Sequence, residues 1–75
     1  MHLAFSDIDR WESTASKLFD ITPVILTEVT GLRFGPSKHS MARAAMAARY
    51  AAKIADEPLK TEAVALAEEL ESRST

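Results

Sequence analysis

Residues 19–36 read FDITPVILTEVTGLRFGP, and they admit two readings. The run VILTEV, residues 24–29, is rich in β-branched side chains, and a hairpin turning at Thr30-Gly31 would carry the chain to Phe34. Thr22-Pro23 argues the other way, as a helix cap followed by proline at the first helical position, with Gly31 suited to a left-handed residue after the helix end. A two-stranded hairpin with no sheet to join is marginal in water. The reading adopted is a short helix over residues 23–30, with Leu32 to Pro36 as the connection.

That choice makes the whole chain all-α, because both neighbours carry helical periodicity. Upstream, Ile8, Trp11, Ala15, Leu18 and Phe19 recur at helical spacing and predict a helix over residues 7–19. Ser6 is its expected cap, with Asp7 and Asp9 at the positive end of the dipole. Downstream, Ser37 follows Gly35-Pro36 as the cap of a long helix, residues 37–55. At about 100° per residue its side chains divide into two arcs. Met41, Ala44, Ala45, Ala48, Ala51, Ala52 and Ala55 form an almost purely methyl arc, suited to close packing against other helices. Lys38, His39, Arg43, Met46, Arg49, Tyr50 and Lys53 form the other. A last helix is expected over residues 57–71, capped by Asp56, with Pro58 in its first turn and a stripe of Leu59, Ala63, Leu66 and Leu70. Ser72 to Thr75 is expected to fray.

The expectation is therefore a small four-helix domain spanning residues 1–75. A chain of this length buries only about 60% of the surface its unfolded form exposes. The large apolar residues, including Phe5, Phe19, Val24, Phe34 and Ile54, supply enough material for one small core. A homodimer that shares the core is a natural supplement. There is no cysteine, and the opening MHLAFSDIDRWE turns acidic where a signal peptide needs an apolar run. A cytoplasmic protein without a membrane span is expected.

A net charge of −2 conceals a division into blocks. Residues 1–28 sum to −3, residues 29–55 to +5 without a single acid, and residues 56–75 to −4. The central helix is basic and its flanks are acidic.

No motif points to catalysis. GLRFGPSKHS, residues 31–40, has the glycines, lysine and serine of a phosphate-binding loop, but three residues separate the glycines and Pro36-Ser37 separates Gly35 from Lys38. His2 and His39 are the only histidines, so a metal site with the usual ligand spacing is not expected. Ser37, His39 and Ser40 sit too close along one helix start to form a nucleophile and its base, and no third group is placed to orient the imidazole. Neither an enzyme nor a cofactor is expected.

The basic arc carries the functional reading. ILTEVTGLRFGPSKHSMARAA, residues 25–45, resembles a helix-turn-helix: a short helix, a turn, then a second helix opening on a serine cap and basic residues. The resemblance implies that Lys38, His39, Ser40 and Arg43 face DNA, with Arg33, Arg49 and Lys53 on the phosphate backbone. The turn is longer than the three or four residues of that motif, and a pI near 5.6 is low for a DNA-binding domain. A second reading has the cations pair with acids of the flanking helices. The third makes the arc a docking surface for another protein, since Arg, Met and Tyr are enriched where interfaces concentrate their energy. In size and style the chain is similar to phage-encoded inhibitors and antitoxins. The primary expectation is a non-enzymatic regulator or inhibitor that binds a protein partner through Arg33, Lys38, His39, Arg43, Met46, Arg49, Tyr50 and Lys53; DNA is the alternative partner.

Overall fold

The computed structural model describes residues 4–74. They form four helices: α1 (Phe5–Lys17), α2 (Pro23–Gly31), α3 (Lys38–Ile54) and α4 (Leu59–Ser74). No strand occurs among the described residues, so residues 23–31 are helical and the hairpin reading is excluded. Each helix packs against its neighbours in sequence, α1 closes against α4, and α3 with α4 shares the most extensive contact.

The ends of the helices differ from expectation in instructive ways. α1 begins two residues early: the carbonyl of Ala4 accepts from the amides of Asp7 and Ile8, so Ser6 lies inside the helix and caps nothing. It also stops at Lys17, where Leu18 and Phe19 donate to Ala15 and Ser16 in a tightened last turn. Thr22 begins α2 with its backbone carbonyl, which accepts from Ile25, but its side chain makes no cap. Its hydroxyl is buried without a hydrogen-bond partner. Gly31 is not left-handed: no glycine has a positive φ, and a Cβ added at Gly31 would meet nothing within 4 Å. At α4, Pro58 precedes the helix, and Glu57 rather than Asp56 supplies the side-chain cap, accepting from the Thr61 amide at 2.9 Å and the Thr61 hydroxyl at 2.7 Å.

The start of α3 is as expected, and more complete. Ser40 N donates to Ser37 Oγ at 3.0 Å, Ser37 N donates to Ser40 Oγ at 2.8 Å, and Ser40 Oγ donates to the Gly35 carbonyl at 2.8 Å. This reciprocal box satisfies donors that the helix itself cannot. Ser37→Ala should cost about 1 kcal/mol, read as a lower midpoint in thermal circular dichroism with unchanged helical content at 25 °C.

The core gathers Ile8, Trp11, Leu18, Ile25, Val29, Leu32, Met41 and Leu70 with the alanines of α3 and with Ala63, Leu66 and Ala67 of α4. Ala44, Ala48 and Ala51 are fully buried. Side chains that short leave little between α3 and α4, whose contact is the most extensive in the bundle. The large apolar residues are not all spent here. Phe5, Phe19, Val24, Phe34 and Ile54, expected to feed the core, are exposed.

Ser72 to Ser74 also departs from expectation, because α4 runs on to Ser74; Thr75 lies outside the described residues. Arg73 explains the extension. Its guanidinium lies 5.6 Å over the Trp11 ring and donates to Asp7 at 3.2 Å, tying the last turn of α4 to the first turns of α1.

Candidate protein-docking face

With the methyl arc of α3 turned inward, its opposite arc is left at the surface. Lys38, His39, Arg43, Met46, Tyr50 and Lys53 are all exposed, and Arg49 is half-buried. The exposed apolar side chains on this face form a line. Met46 is 71% exposed, Tyr50 56% and Ile54 52%, at spacings of four residues along one side of the helix. Ile54, read from sequence as core material, lies instead in this arc, eight residues after Met46.

The cations of the central block do not share one fate. Arg49 makes a two-pronged contact with Glu71 of α4, at 2.9 Å from Nε and 2.8 Å from Nη2. Arg43 reaches Glu28 of α2 at 3.2 Å. Arg33 leaves the face altogether. It pairs with Glu12 at 2.7 Å and with Asp9, both on α1, and its guanidinium lies 5.8 Å over the Phe5 ring. Lys38 and Lys53 enter no ion pair among the described residues. The basic centre and acidic flanks are therefore in large part an internal matching of helices, of which two lysines are left over.

The same pairing runs around the rest of the bundle. Arg10 grips both carboxylate oxygens of Glu69, at 2.7 and 2.6 Å, while Trp11 Nε1 donates to Glu69 at 2.8 Å. Lys17 reaches Glu62 at 2.9 Å. Sequence spacing could not reveal this network, since Arg10 and Glu69 meet only after α1 closes on α4.

These contacts set a pH dependence. The hydrogen bond from Arg10 holds the Glu69 carboxyl below its usual value, with a smaller contribution from Trp11. Arg33 does the same for Glu12, and Arg49 for Glu71. A carboxyl whose folded pKa is depressed adds stability that is complete above its unfolded value, near ~4.3, and is lost as the pH falls through the folded value. The melting temperature should hold level from pH 7 to about pH 5 and drop on further acidification. Glu69→Gln should flatten that acid limb, as measured by thermal melts across a pH series.

Two shallow clefts mark the surface. One, about 140 Å³, lies between α1 and α4 and is lined by Trp11, Thr14, Leu66 and Glu69; the other, about 280 Å³, runs along α4 beside Lys60, Val64 and Glu68. Both are below the roughly 300–1,000 Å³ of typical small-molecule sites. No group of three or more His, Asp or Glu able to hold a metal occurs among the described residues. No helix among them is long and apolar enough to cross a membrane. Comparison with protein-family models, with curated proteins and with solved structures finds no match for this chain.

Proposed function

We propose that this chain is a non-enzymatic binding protein, a regulator or inhibitor that engages another protein through the outer face of α3. The observation that supports this reading is the line Met46, Tyr50 and Ile54, each more than half exposed on a helix whose other side is fully committed to the core. A rigid helix presenting apolar anchors flanked by cations matches the helix-against-helix mode of recognition, in which side chains four residues apart act as anchors. Tyr, Met and Arg contribute disproportionately when such a surface is desolvated. A Met46→Glu, Tyr50→Glu double variant should lose capture of its partner from a cell extract while keeping the circular dichroism of the parent. Unchanged capture would move the interface off α3.

DNA binding is the alternative, favoured by the order α2, turn, α3 with Lys38 and His39 exposed at the start of α3. Against it, Arg33, Arg43 and Arg49 are engaged by Glu12, Glu28 and Glu71, which removes most of the charge that would meet phosphate. A mobility-shift assay at 50 mM salt tests it: a shift that weakens steeply with added salt would favour DNA, and no shift would dismiss it.

A further inference from the structure

We propose that the segment occupying the α3 face is an acidic amphipathic helix, with an apolar ridge seated on Met46, Tyr50 and Ile54 and carboxylates reaching Lys38 and Lys53. This rests on the docking reading above and adds the chemistry of the partner. α3 carries no acidic residue from Lys38 to Ile54. The carboxylates that pair with its arginines, Glu28 and Glu71, are already held by Arg43 and Arg49. What remains uncompensated on the face is positive. Lys38 and Lys53 stand fifteen residues apart, about 22 Å at 1.5 Å per residue, with Met46 and Tyr50 between them and Ile54 next to Lys53. A partner helix of about four turns spans that distance and needs one acidic group near each end.

The same charge argument separates this occupant from the others. A second copy docked antiparallel about Tyr50 would lay the apolar line against itself. It would also leave Lys38 and Lys53 of both chains, which enter no ion pair, facing a helix that carries no acid. Duplex DNA would find two free lysines over some four turns with the exposed Met46 and Tyr50 between them, too few phosphate contacts for the multi-lysine footprint that nucleic-acid binding relies on. An acidic helix with apolar anchors satisfies both features at once.

The test is a titration of the ¹⁵N-labelled chain with two synthetic helical peptides of about eighteen residues, a length that covers four to five turns. Both carry leucine at i, i+4, i+7 and i+11; their remaining exposed positions are glutamate in one and lysine in the other. The glutamate peptide should shift the amides of Ala42, Met46, Tyr50 and Lys53 and bind at least about tenfold more tightly than the lysine peptide. A Lys38→Glu, Lys53→Glu variant should invert that preference, and Tyr50→Glu should weaken both peptides. Equal binding of the two peptides on α3 would overturn the acidic partner while leaving the docking face in place. Shifts of the same amides with protein concentration alone would assign the face to a second copy and overturn the proposal. Shifts on α3 with a twenty-base-pair duplex but neither peptide would overturn the proposal and the protein-docking reading together, as would peptide shifts confined to other helices.

Discussion

Trp11→Ala should leave the chain largely unfolded at 37 °C. Trp11 is the only tryptophan and the largest buried side chain, 1% exposed where α1 meets α4. Truncating a buried tryptophan costs about 3–5 kcal/mol through lost burial and the cavity left behind. Stability of roughly 0.05–0.15 kcal/mol per residue leaves a chain this short with a margin of about 4–11 kcal/mol, and the loss consumes the low end of that range entirely. The substitution also removes the surface on which Arg73 lies and the donor to Glu69. Urea titration followed by circular dichroism should show the midpoint collapse toward zero denaturant. Trp11→Phe separates the contributions, keeping most of the packing while losing the indole N–H; it should cost about 1–2 kcal/mol. A loss below 1 kcal/mol for Trp11→Ala would mean that the α1–α4 junction is not packed as described.

Ala48→Leu should be the most damaging conservative change in α3. Ala48 is fully buried at the centre of the methyl face. Three added carbons there must push α4 outward or force neighbouring side chains off their rotamers, at about 1–3 kcal/mol. In a chain of this size each kcal/mol lowers the melting temperature by about 4–8 °C. The adjacent position provides the contrast. Arg49→Ala breaks only a half-exposed pair with Glu71, whose contribution water screens, and should lower the melting temperature far less. Paired thermal melts of the two variants test whether the inward face of α3 has been identified correctly. A larger effect at Arg49 than at Ala48 would reverse the assignment.

The methyl arc of α3 was legible because Ala44, Ala45, Ala48, Ala51 and Ala52 recur with Met41 on one side of the helix, opposite the cations. The Ser37 cap was legible for a similar reason: proline and glycine before it forbid helix, and a hydroxyl at that junction has one obvious use. Ser6 misled because the same logic ignores the backbone. Ala4 can begin α1 without any side-chain cap, and the first turn is held instead by Arg73, which donates to Asp7. Hydrophobicity alone does not separate the buried Ile8 and Leu18 from the exposed Phe5 and Phe19, because periodicity points to a helix over residues 7–19 while α1 runs from Phe5 to Lys17. The charge blocks signalled pairing between helices, but which cations would remain free depended on contacts between residues far apart in sequence. Arg33 was grouped with the α3 cations by its position in the chain; in the fold it faces α1.

The clasp of Arg73 on Asp7 and Trp11 has an engineering consequence. It sets the final turn of α4 beside the opening turn of α1, so a short glycine-serine bridge could join residues 74 and 4 without stretching the bundle. New ends could then be opened at Gly35-Pro36, in the exposed connection between α2 and α3. Such a circular permutant would keep every interhelical contact while freeing the start of α3 from its covalent tie to α2.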